Sequence, residues 1–113
     1  MVKVIKPSSR RKPTAAGKKQ SVRKAEEILR YQDQYIVVDT ATHFIFIGRL
    51  RDISDFFITL SDADVHASRE SPSMKEKYII DSKKYGVRIN RKQVHIRLEE
   101  VISFSSLNDV IEY

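Results

Sequence analysis

The first twenty-four positions hold nine Lys or Arg and no acidic residue, among them Arg10-Arg11-Lys12 and Lys18-Lys19. Cations at that density pair with phosphates, and the counterions they release make such binding salt-dependent. The run reads as an arm for nucleic-acid phosphates, the plainer alternative being a solubilising tail with no partner. Ser8-Ser9-Arg10-Arg11-Lys12 also fits a nuclear import patch. Further on, Asp55 precedes two adjacent aromatics, Phe56 and Phe57. An exposed ring can stack on a nucleobase, whereas a buried one only fills a core. Asp62-Ala63-Asp64-Val65-His66 places Asp62, Asp64 and His66 on one side of an extended chain, either a metal-binding cluster or a solvated strand end. His43, His66 and His95 otherwise lack ligand spacing, and the three glycines are isolated, so no phosphate loop is present. No serine has a nucleophile context. The expectation is a protein that is not an enzyme and uses no cofactor and no metal.

The elements that must position these residues centre on 43–65. Phe44, Phe46, Gly48 and Leu50 alternate with Ile45 and Ile47, so both faces of this strand are apolar. A strand covered on both sides fits a small barrel with a helix or partner outside it. Gly48 in mid-strand points to a sharp bend or a close backbone approach. Residues 51–55 form the turn, with Ser and Asp side chains bonding local backbone. Phe56, Ile58 and Leu60 then alternate with Phe57, Thr59 and Ser61 in the next strand. Upstream, Ser21 can cap a short helix whose apolar face is Val22, Ala25, Ile28 and Leu29, ending near 32–34. Tyr35–Thr40 is the first strand, and Ala41-Thr42 connects it to the second. Residues 66–70 read as a loop. Ser71-Pro72 starts a helix, with a Ser73/Glu76 capping box as the alternative start, and Gly86 ends it. A strand at 78–80 is the rival to this helical insertion of residues 66–86. Val94, Ile96 and Leu98 mark the fourth strand. Glu99-Glu100 is a break, and Val101–Phe104 a fifth strand with Ile102 and Phe104 on one face. Residues 107–111 form a helical turn or join a sheet edge.

At 113 residues the chain holds one domain with a modest core. Residues 1–21 form a disordered basic tail, because two prolines, a glycine and like charges cannot offset ordering entropy. Residues 22–113 form the folded domain. Beyond the first twenty-four residues, twelve cations face fifteen acids, so the body is mildly acidic. There is no cysteine, which excludes disulfides and thiolate zinc sites. No apolar run reaches the length of a membrane span, and no secretory signal opens the chain, so cytoplasmic residence is expected, or nuclear in a eukaryote.

Over roughly residues 22–105 the chain resembles the Sm and Sm-like (LSm) family. Gly48-Arg49-Leu50, Ser54-Asp55-Phe56-Phe57 and Leu60-Ser61-Asp62 are similar to that family's first signature, and Ile96–Phe104 to its second. The resemblance implies a mainly β fold: an N-terminal helix and a five-stranded, bent antiparallel small barrel, here with a helical insertion between strands three and four. It also implies RNA as partner, single-stranded, and assembly into a homo-oligomeric ring through strand edges. Phe56-Phe57-Ile58 and Val94-His95-Ile96 are the segments suited to such pairing, unless the insertion caps an edge. In the family an Asn after the turn between strands two and three, together with an Arg-Gly pair, helps to hold a uracil base. Here Phe57 is followed by Ile58, and Leu98 stands in place of Gly, so Asp55 and Arg97 are the matching polar positions. Two functions follow: an RNA-binding ring subunit with a phosphate-gripping arm, or a protein-interaction scaffold on the same fold. Surface cations at Arg49, Arg51, Arg88 and Arg91 favour the first.

Overall fold

The computed structural model describes residues 25–112 except 68 and 70. The basic tail and the expected helix start at Ser21 lie outside the described residues. Residues 25–29 are helical (α1). The helix ends before the expected 32–34: the Tyr31 and Gln32 N–H groups bond the Ile28 and Leu29 carbonyls three residues back, and Asp33 then takes a left-handed conformation (φ 68°) that turns the chain into the sheet. The Asp33 N–H donates to the Leu50 carbonyl at 2.8 Å, and the Leu50 N–H returns a bond to Gln34 at 2.9 Å. Strands β1 (Tyr35–Thr40), β2 (Phe44–Ile53) and β3 (Phe57–Ala67) form an antiparallel meander. Helix α2 (Pro72–Tyr85) intervenes before β4 (Arg91–Arg97), a 3-10 turn (Leu98–Glu100) and β5 (Val101–Ser106). A further 3-10 turn, Leu107–Asp109, follows, as one of the two expectations for that stretch held. The sheet order is β4-β3-β2-β1-β5. This bent, mainly β sheet, with a helix ahead of it and one between β3 and β4, is the expected architecture.

Both faces of β2 are indeed covered. Ile28 of α1, Val38, Leu50, Leu60, Ile96 and Leu98 belong to an inner cluster. Val37, Ile45, Ile47 and Leu107 form a second cluster on the other face, packed by Tyr78 and Ile79 of α2. The insertion therefore shields a sheet face. Lys75 spans from α2 to both carboxylate oxygens of Asp39 at 3.2 Å, and Lys83 bonds the Asn108 and Val110 carbonyls. Ser71, rather than Ser73, caps α2 by accepting from the Met74 N–H, and Gly86 (φ 102°) ends it.

Three register shifts depart from simple alternation, one of them between Leu50 and Asp52 of β2. In β3, Asp62 and Ala63 face the single residue Gly48, between the pairs Ile47↔Asp64 and Arg49↔Ser61, and Asp62 has φ 48°. This bulge bends the hairpin and moves the following side chains to opposite faces. A Cβ on Gly48 would lie 2.9 Å from the Ala63 Cβ, so the close approach expected of this glycine is present. In β5, a register shift beside Thr40 leaves Ile102 67% exposed while Phe104 packs on the inner cluster, so the two do not share a face. Strand β3 also runs on through His66, which the sequence reading placed in a loop, because the Asn90 amide pairs with Val65 and prolongs the sheet. Finally, β3 is flanked by β2 and β4, so the segment Phe56-Phe57-Ile58 is interior to the sheet. The outer strands are β4 and β5.

Candidate nucleic-acid interface

The β2–β3 turn is shorter than expected: β2 continues to Ile53, and only Ser54, Asp55 and Phe56 connect it to β3. Ser54 organises it. Its N–H donates to the Phe57 carbonyl at 2.8 Å, and its hydroxyl accepts from the Phe56 and Phe57 N–H groups at 3.3 and 3.0 Å. With the backbone bonded locally, the side chains of Asp55, Phe56 and Phe57 are left outside. Phe56 is 59% and Phe57 44% exposed, which removes the core reading for both rings.

Strand β4 brings Arg97 to this turn. Phe57 and Arg97 are register partners, and the Leu98 N–H donates to the Phe56 carbonyl at 2.8 Å. Asp55, Phe56, Phe57 and Arg97 thus gather at one end of the β3–β4 hairpin although some forty residues separate them in the chain. Arg97 is exposed and pairs with Glu99, itself exposed, so a phosphate can compete for the guanidinium. Leu98 points into the inner cluster and is 5% exposed. This side chain therefore fills the core beneath the site rather than its surface. The result is an acidic turn, two open rings and an exposed guanidinium, which together can stack a base and pair its phosphate. The arm residues Arg10, Arg11, Lys12, Lys18 and Lys19 lie outside the described residues.

The structure separates the three residues of the acidic cluster. Asp64 is buried, with Oδ2 accepting from the Tyr78 hydroxyl at 2.7 Å and Oδ1 from the Asn90 amide at 2.9 Å. His66 stacks on Tyr78 with ring centroids 3.7 Å apart, while Asp62 stands exposed on the bulge. The three do not converge, and among the described residues no group of three or more potential ligands does. Asp64 instead joins α2 to the start of β4.

Of the cations weighed in the sequence, Arg88 and Arg91 are exposed. Arg51 pairs with Asp33 at 3.2 Å. Arg49 is half-buried, with its guanidinium 5.4 Å from the Tyr35 ring centroid. Sequence reasoning missed the polar row beside Arg97: the Thr59 hydroxyl meets His95 Nδ1 at 2.8 Å, and Ser61 is the register partner of Gln93. Alternation in both strands was the available signal. No helix among the described residues is long and apolar enough to cross a membrane.

No family model matches the sequence, and no curated protein matches it. Among solved structures, the chain is similar to an Sm protein from Pyrococcus abyssi in complex with a uridine heptamer, at 20% identity over 72% of this chain and 93% of that one, with a TM-score of 0.48. It is also similar to an Sm-like protein from Archaeoglobus fulgidus, at 14% identity over 72% of this chain and 89% of that one, with a TM-score of 0.48. The chain itself has a helix ahead of β1, five antiparallel strands in one bent sheet and a helix between β3 and β4.

Proposed function

We propose that this chain is an Sm-like RNA-binding protein that takes single-stranded RNA at the Asp55–Phe57 turn and Arg97. It assembles into a homo-oligomeric ring, and its basic arm holds further phosphates. The observation that carries this reading is the exposure of Phe56 and Phe57 beside Arg97. Two large rings held in water offer stacking surface that folding alone does not require. Assembly is supported by the two outer strands, β4 and β5, and by exposed Ile102 on β5. The same apolar edge also suits a different protein chain, which is the scaffold reading.

Fluorescence anisotropy with a short oligouridylate tests the first reading. Phe56→Ala, Phe57→Ala and Arg97→Ala should each weaken binding by about tenfold, within the range of roughly 1–3 kcal/mol known for base stacking. Wild-type protein that binds no single-stranded RNA at low salt, while retaining a protein partner, would establish the scaffold reading instead.

A further inference from the structure

Two further features lie beyond the Arg97 site. The first is the outer face of the β3–β4 hairpin. Val94 and Ile96 point to the inner cluster, so alternation puts Gln93, His95 and Arg97 on the opposite face, where all three are exposed. Their register partners are Ser61, Thr59 and Phe57, giving a row of polar side chains that ends at an aromatic ring and holds no aliphatic residue. The strand that carries this row continues back to exposed Arg91, a run of about 20 Å at ~3.4 Å per residue.

The second is a groove of about 510 Å³ that runs along α2 from Met74 to Gly86, beside the end of β3. Its walls include His66, Tyr78, Tyr85 and Arg88. Tyr85 is 77% exposed, with the Lys84 ammonium 5.4 Å from its ring centroid. Lys77, also in the wall, is held by Asp81 at 2.7 Å, and that hydrogen bond raises its pKa above the ordinary lysine value. Asp81 is thereby matched, while exposed Arg88 in the wall, with Lys84 at the Tyr85 ring, offers positive charge to an anionic ligand. An open aromatic ring beside an exposed guanidinium fits a nucleotide, in which every unit joins a stacking base to an anionic phosphate, whereas an acidic peptide offers the charge without a base at each unit.

We infer that the outer face of the β3–β4 hairpin is a track for single-stranded RNA that leads from the Arg97 end to this groove. One base stacks on Tyr85 there, and Arg88 takes an adjacent phosphate. The inference rests on the RNA-binding reading above and extends the contact to a second, separate place. It requires RNA long enough to span both, so it makes affinity depend on length.

The test is anisotropy titration of the full chain with oligouridylates of about six and about eighteen nucleotides, the longer chosen to exceed one small-barrel site. The double variant Tyr85→Ala/Arg88→Ala alters two exposed side chains, and an unchanged melting temperature verifies that it folds. It should bind the short oligomer within about twofold of wild type and the long one about tenfold more weakly. Its log–log salt slope for the long oligomer should fall by about 0.7 for the lost phosphate contact. The basic arm is present in both proteins and cancels. Equal binding of the long oligomer by variant and wild type overturns the track while leaving the Arg97 site standing. Wild-type protein that binds neither oligomer overturns the RNA reading, and the track with it.

Discussion

Gly48→Ala should destabilise the fold, by an amount that the strand crossing sets. The added methyl would sit 2.9 Å from the Ala63 Cβ, 3.0 Å from the Leu60 Cβ and 3.2 Å from the Ala63 Cα. Each neighbour is buried with 0% exposure, and none is the tip of a flexible side chain. The clash is therefore relieved only by moving β2 away from the bulge. Overpacking of this kind costs about 1–3 kcal/mol. Alanine also restricts the unfolded chain, which offsets about 0.4–1 kcal/mol. The net loss is about 1–2 kcal/mol, and at ~4–8 °C per kcal/mol for a domain of this size the melting temperature should drop by about 5–15 °C. Thermal melts followed by circular dichroism, with urea titrations alongside, measure it. Ala63→Gly removes the nearest of the three contacts, so the double variant should lose less than the sum of the single changes. A Gly48→Ala protein that melts at or above the wild-type temperature would refute the close approach as the reason for glycine here.

Other outcomes follow from the same geometry. Deleting residues 1–24 should weaken RNA binding and flatten its salt dependence, by about 0.7 in the log–log slope for each single-strand phosphate contact removed; an unchanged slope excludes the arm. Tyr78→Phe leaves the buried Asp64 one donor short and should cost about 1–3 kcal/mol in urea unfolding, whereas no loss would show that the carboxylate does not hold α2. Ile102→Lys changes a residue that is 67% exposed in the single chain, so it should leave the melting temperature of an isolated subunit intact while dissociating the assembly in light scattering. Wild-type protein that is monomeric at micromolar concentration and moderate salt would rule out the ring. Limited proteolysis should spare Arg49 and Arg51, both within β2; early cleavage there would contradict the hairpin.

Much of this protein is written locally in its sequence. The limits of β1, the long apolar hairpin and the helix from Pro72 to Tyr85 follow from β-branched runs, period-two alternation, and a serine cap and terminal glycine. These are short-range signals, set by backbone sterics and by hydrogen bonds within a few residues. The Gly-x-Leu and Ile-Arg segments also pointed to the fold. Alternation shows that β2 is covered on both faces but does not name what covers it. Only the folded chain places α2 over Val37 and Ile47, with β4 and β5 as the outer strands of the sheet. The bulge at Asp62 is also a tertiary decision. It answers the contact between Gly48 and Ala63, and by adding one residue it moves Asp64 and His66 onto the face where Tyr78 meets them. That extra residue is why the acidic cluster became a brace for α2. Phe56 and Phe57 show the same limit from the other side: their alternation fitted a core, but Ser54 closed the turn early and held both rings in water beside Arg97. Whether an aromatic pair is buried or displayed depends on where the strand ends, and a single serine hydroxyl settles that here.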